Sequence, residues 1–432
     1  MPTLAFRGLA ALTVVLAAFA ASHGRLSAQP AQSRDAAPQA TARLADGPRT
    51  ATPEPGYGKK FAAETTRPIV TISNPYMDPA RPLIADATGM ACTADGGLVI
   101  GGRAGFDDGR AVAAGFWRVA PDGAVTPMHT RPIVATSRAA CDAQFAASAV
   151  TPKRFSLAAD GRLLLGSPAA VQAVRGDGFV SRLAGSPRAC SGDSGKGVSG
   201  FGDGAASGGL FDEPDAPVED PDGNLWVVDQ KGCALRKITP QGEVSTVLGR
   251  DVVCNEAVPR ENRPLLEHLV WDAAHGELVA GGSTVVATPV HNLYVTMWRI
   301  KPSGEFRRVF YGWKLGRNNP AKVGVDGIRA LAVDPQGRIH IVSLLMLFER
   351  RGWDALQLLR VDETANTVMP LTGTKIPNGA FMRHQPMDAA APLAWFEGTR
   401  GLCFAPDGTA FVNDELFIRR IDPKGQVTTW VF

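Results

Sequence analysis

Two carboxylates stand where chemistry could be done. Asp229 ends the apolar run LWVVD and Asp414 ends AFVND, each just before a break in hydrophobicity. Asn413 and Glu415 flank Asp414, and Ser167 and Ser343 end two comparable runs. A hard divalent cation such as Ca²⁺ takes about six to eight oxygen ligands. Asp229 and Asp414 are therefore candidate metal ligands, with Asn413, Glu415, Ser167 and Ser343 as further polar groups of a ligand site. The competing role is structural, because an aspartate at a strand end caps the following turn with its own side chain. His291, His340 and His384 fall in successive segments and could meet at a metal, though no His-x-His or H-E-x-x-H spacing accompanies them. The string GDSGKG at 192–197 has no matching His and Asp context, and there is no G-x-S-x-G elbow, phosphate loop or dinucleotide fingerprint. No residue is assigned a catalytic role.

The elements that would position these groups come from a repeat. Residues 203–249 and 388–432 align: Asp203 with Asp388, Phe211 with Phe396, Asp222-Gly223 with Asp407-Gly408 and Asp229 with Asp414. After a two-residue deletion, Ile238, Pro240, Gly242 and Val244 align with Ile421, Pro423, Gly425 and Val427. Each unit is an apolar run, an Asp-Gly turn, a second run, a variable loop, a third run, a Pro-x-Gly turn and a fourth run. Asp-Gly closes tight hairpins because glycine accepts positive φ, so the unit is a four-stranded antiparallel meander. First-turn glycines recur at Gly96, Gly161, Gly223, Gly276, Gly337 and Gly408. Six such units predict an all-β fold, a six-bladed β-propeller with four-stranded antiparallel blades over residues 68–432. Pro68–Ser73 reads as a stray fourth strand that could help close the ring. The ends of the second strands align as Gly102, Ser167, Asp229, Gly282, Ser343 and Asp414, which would set the two acids in opposed blades, across the mouth of the channel.

The run DGAASGGLFDEPDAPVEDPDGNLWVVDQKGCALRKITPQGEVSTVLG resembles the NHL-repeat family, with Trp226 in place of its usual aromatic; residues 388–432 match well and the other units in part. The resemblance implies a six-bladed propeller. Its members include binding modules, and its relatives in architecture include metal-dependent lactonases of the gluconolactonase type and a peptide-amidating lyase. Function therefore stays open at this point.

Composition and ends narrow the setting. Lys+Arg total 45 and Asp+Glu 42 in 432 residues, a net charge of +3, so no charge field recruits nucleic acid. Arg118, Lys237, Arg299, Arg360 and Arg420 recur at one third-strand position and are expected to pair with turn carboxylates. Residues 1–28 carry Arg7, the apolar run Leu9–Ala21 and small-x-small exits, which predicts a cleaved signal peptide and a secreted or periplasmic protein. Residues 29–67, rich in Ala and Pro, read as a disordered linker, and no segment is long enough for an integral membrane span. In an oxidising compartment Cys141, Cys190, Cys233 and Cys254 all map to one face, with Cys141–Cys190 and Cys233–Cys254 as the preferred pairing. Cys92 and Cys403 lie within innermost strands and read as buried thiols.

That face also holds nearly every insertion: segments 103–115, 130–150, 186–202, 251–264, 312–325, 344–354 and 374–386. Ligand sites belong on loops held by a rigid scaffold. The sequence thus points to a module binding a protein, peptide or glycan on its loop-rich face. The alternative is a metal-dependent hydrolase or lyase, lactonase-like, with its site at the channel mouth.

Overall fold

The computed structural model describes residues 43–44, 70–71, 84–107, 110–132, 154–167, 169–176, 180–185, 200–205, 208–259, 262–286, 292–313, 323–347, 356–373, 388–394, 396, 398–414 and 417–431. The expected signal peptide and nearly all of the linker lie outside them, as do Cys141, Cys190, His291, His384 and Glu415. Among the described residues no helix is long and apolar enough to cross a membrane.

Turn chemistry sets the architecture. Gly223 closes the first turn of blade three at φ +77°, and Asn366, at φ +52°, takes the same left-handed position in the second turn of blade five. Between such turns the strands pair antiparallel in sequence order, giving six sheets of four strands each. The innermost strands are Ile84–Cys92, Phe155–Leu157, Pro214–Glu219, His268–Asp272, Val323–Val333 and Leu402–Phe404. Each packs on the next and the sixth on the first, so the chain forms a closed six-bladed propeller. Blades three and six gain a two-residue rim strand, Gly204–Ala205 and Ala389–Ala390.

The core is divided as the ring requires. Six apolar clusters form, one between each pair of neighbouring blades; Leu225, Val227 and Ile238 of blade three meet Leu164, Val171 and Ala173 of blade two, for example. That is why successive strand positions are apolar: both faces of every sheet are covered.

Three expectations need correction. Among the described residues Val70–Thr71 pairs with Arg43–Leu44 rather than with a blade strand, and it lies against the outer strand of blade one, Val125–Pro132. The seam between blades six and one is closed by an apolar cluster around Met90, Trp117 and Phe411 and by a disulfide between Cys92 and Cys403. These were expected as separate thiols; ring closure makes the first and last inner strands neighbours, with 5.6 Å between the two Cα atoms. Segment 103–115, expected as a loop, is largely paired strand. The ladder of Leu98–Asp107 with Arg110–Val119 continues to the pair Asp107 and Arg110.

Blade four extends in the same way, with Glu277–Val286 paired to Asn292–Ile300, and blade five through Val323–Val333 paired to Ile339–Leu347. Second strands of nine or ten residues here contrast with five in blades two, three and six. At ~3.3 Å per residue, blades one, four and five rise about 15 Å above the others on one face of the disc.

Candidate functional site

Each inner strand begins at the face where those hairpins rise and ends at a tight first turn. The inner edge of a radial sheet has no strand beyond it, so backbone N–H and C=O groups border the axis along with side chains. Residues from all six inner strands line a central cavity of about 340 Å³. The residues that open the first turns are Thr93, Ala158, Asp220, Asp272, Asp334 and Ala405. Four or five positions before them, at the hairpin-side end, stand Gly89, Arg154, Asp215, His268, Arg329 and Arg400. All of these except Asp215 border the cavity.

This level carries three guanidinium groups and one carboxylate. Arg154 Nη1 lies 3.3 Å from the Asp215 carboxylate, which also accepts from Gln230 Nε2 at 3.2 Å. Glu267, next in sequence to His268, accepts from the Ser283 amide at 2.9 Å and its hydroxyl at 3.1 Å. Arg329 and Arg400 are exposed. His268 is buried and donates from Nε2 to the Ile328 carbonyl at 3.0 Å. Burial and then the charge of Arg154 push its pKa down to about 3, so the ring is neutral near pH 7.

The acids singled out from the sequence lie elsewhere. Asp229 is fully buried inside blade three and Asp414 nearly so inside blade six; neither borders the cavity. One Asp229 oxygen accepts from the Asp212 amide at 2.8 Å and the other lies 3.2 Å from Arg236 Nη1. Arg236 is fully buried, donates also to the carbonyls of Leu210 and Gly202, and pairs with Asp203 at 2.8 Å. Its guanidinium lies over the rings of Phe201 and Phe211. In blade six Arg419 occupies the equivalent place, fully buried and 3.2 Å from Asp388. The Asp and Arg of the repeat thus tie the second and third strands to the crossing before the blade. Burial pushes Asp229 up to about 6, against the Asp212 amide and Arg236. A divalent cation does not fit there, because both carboxylate oxygens are engaged and a buried cationic side chain fills the adjoining space.

The remaining residues close their own blades. The hydroxyl of Ser343 donates to the Gly327 carbonyl at 2.6 Å and that of Ser167 to the Ala170 carbonyl at 2.9 Å. The Asn413 amide donates to the Gly401 carbonyl at 3.0 Å. His340 donates from Nε2 to Asp334 at 2.9 Å, beside the first turn of blade five and away from the hairpins. Cys233 is bonded to Cys254, pinning the second loop of blade three to the short helix Arg250–Val253. Among the recurring third-strand cations, Arg118 pairs with Asp95, while Arg299 meets Asp272 in its own blade and reaches Glu363 of the next at 2.7 Å.

Arg154, Arg329 and Arg400 were not singled out in the sequence, and His268, which reads there as lying beside a diverged turn, instead opens the inner strand His268–Asp272. Their signal is a basic residue or histidine at the start of each apolar run, in KRFSL, EHLVW, IRALAV and RGLCF. A bulge obscures it at Arg329, where the pairing of inner and second strands slips between Asp326 and Ala330.

The sequence matches no protein-family model, and no curated protein matches it. Similar folds occur among solved structures. A protein of unknown function from Bacteroides thetaiotaomicron is 13% identical, over 81% of this chain and 72% of that one, with a TM-score of 0.47. Virginiamycin B lyase from Staphylococcus aureus is 12% identical, over 82% and 85%, with a TM-score of 0.36. A gluconolactonase-like protein is 13% identical, over 82% and 94%, with a TM-score of 0.40. Likeness at this level says nothing of substrate.

Proposed function

We propose that this chain is an exported propeller that binds a protein, peptide or glycan ligand on its hairpin-bearing face, over the mouth of the central channel. The observation that carries this reading is the unequal height of the blades. A scaffold needs only short strands to close the ring, as blades two, three and six do. Blades one, four and five extend their ladders about 15 Å beyond that need, all on the face where the channel is lined by charged side chains. Two disulfides suit an extracellular setting, and the leader-like sequence of residues 1–28 supports export.

The test probes a glycan array and a peptide library with the mature protein and with a variant whose blade-four hairpin is cut back to the height of blade three. Binding lost in the variant at an unchanged thermal midpoint supports the reading; equal binding overturns it. Stoichiometric calcium or zinc in the purified protein, with lactone hydrolysis abolished by a chelator, would replace it with the metal-dependent hydrolase.

A further inference from the structure

His268 borders the channel, and its two ring nitrogens meet different surroundings. A carbonyl oxygen can only accept, so the 3.0 Å contact of Nε2 with the Ile328 carbonyl places the ring proton on Nε2. Nδ1 is then a bare acceptor. Among the described residues no group donates to Nδ1, and the protein does not seal that atom in, so it meets the cavity. Protonation does not turn it into a donor near pH 7, because burial and the charge of Arg154 keep the ring neutral.

An unprotonated imidazole nitrogen calls for an O–H or N–H donor from whatever stands in front of it. The rest of the wall selects no single charge. Arg154 gives Nη1 to Asp215 at 3.3 Å, and Arg329 and Arg400 stand at the same level. Glu219 borders the same cavity, its carboxylate accepting from the Ala159 amide at 2.6 Å. A cation would face the arginines, and an anion would face Glu219 and the lone pair of Nδ1. A hydroxyl suits both kinds of neighbour, because it donates one hydrogen bond and accepts two. The cavity, about 340 Å³, falls at the lower end of small-molecule sites, roughly 300–1,000 Å³, and suits a single ring rather than a chain.

Resting on the binding role proposed above, we infer that the channel holds the terminal residue of a neutral glycan, with a sugar hydroxyl donating to Nδ1 of His268.

The probes are the methyl glycosides of D-glucose, D-galactose and D-mannose, titrated by ligand-observed NMR on the full mature chain. Methyl glucuronide and methyl glucosaminide supply an anionic and a cationic sugar, and N-acetylglycine methylamide a neutral peptide. At least one neutral glycoside should bind saturably at one site per chain, about tenfold tighter than the charged sugars and the amide. Two variants divide the ring's roles. In His268→Gln the side-chain amide reaches the place of Nε2 and keeps the bond to Ile328, while the Nδ1 acceptor is lost. In His268→Asn the amide oxygen takes the place of Nδ1, while the bond to Ile328 is lost. The glutamine variant should weaken the glycoside by about tenfold at an unchanged thermal midpoint at pH 7. The asparagine variant should bind within about threefold of the unaltered protein even where its midpoint falls. In the unaltered protein labelled with ¹⁵N-histidine, the glycoside should shift the Nδ1 resonance of His268 and leave Nε2 in place, a readout that needs no variant to fold. Absence of saturable binding by all neutral glycosides, tighter binding of a charged sugar or the amide, an unshifted Nδ1, or the reverse ranking of the two variants would overturn the inference. If the glycosides fail while array binding persists on the hairpin face, the channel site falls and the broader binding role stands. If they bind as expected while cutting back the hairpin changes nothing on the array, the broader role falls and the channel site stands.

Discussion

Replacing Cys92 and Cys403 together with alanine should cost this protein more stability than replacing Cys233 and Cys254. In the chain-entropy account a cross-link restricts the unfolded state in proportion to the logarithm of the loop it closes. The Cys92–Cys403 bond spans 311 residues, which corresponds to about 5.7 kcal/mol at 25 °C. The Cys233–Cys254 bond spans 21, which corresponds to about 3.3 kcal/mol. The difference, about 2.4 kcal/mol, is roughly a sixtyfold change in the folding constant. Cys92 and Cys403 also pack against the cluster of Met90, Leu98, Trp117 and Phe411, so the ring variant loses those sulfur contacts in addition to the cross-link. Urea unfolding of both double variants, with the remaining disulfides verified intact, measures the two losses. The ring variant should also show the larger m-value, because its unfolded chain expands further. A ring variant that loses no more than the loop variant would refute the argument. The unfolded ends would then be held together by something other than the disulfide.

Two further outcomes follow from buried groups. His268 has its pKa depressed to about 3, so its contribution is complete above the unfolded value near 6.5 and is lost as pH falls toward 3; at pH 5 the loss is about 2 kcal/mol, which His268→Gln should remove from the stability–pH curve. Identical curves for the two proteins would refute it. Arg236→Met should destabilise blade three by about 3–5 kcal/mol by leaving Asp229 buried without its cation. Adding Asp229→Asn should recover part of that loss in a double-mutant cycle, and no recovery would show that the pair is not coupled.

The blades were legible because each is a local object. The turn at Asp222-Gly223 specifies its hairpin from residues a few positions apart, and the match of 203–249 with 388–432 fixed where one blade ends and another begins. The Cys233–Cys254 bond was within reach for the same reason, since both residues fall at one end of one blade. The seam was not. Cys92 and Cys403 are brought together only by the accumulated rotation of all six sheets, which no local pattern encodes. Aligning Asp229 with Asp414 reveals a shared position, while the buried partner of Asp229, Arg236, sits one residue before the recurring third-strand cation Lys237. Arg329 falls within a bulge, between Asp326 and Ala330, while Arg154 and Arg400 stand just before their short inner strands, so no common strand register marks the three.

The seam disulfide has a consequence for any molecule in the channel. Every blade is complete in sequence, so among the described residues no strand is shared between the first blade and the last, and the thiol bond serves as the clasp of a necklace. Both of its cysteines border the central cavity. A reductant entering by the channel would reach the clasp from the inside, and an occupant would stand in its way. Filling the channel and keeping the necklace fastened thereby become linked equilibria: each occupant that shields the bond prolongs the closed circle, and each opened clasp loosens the wall that the occupant leans on.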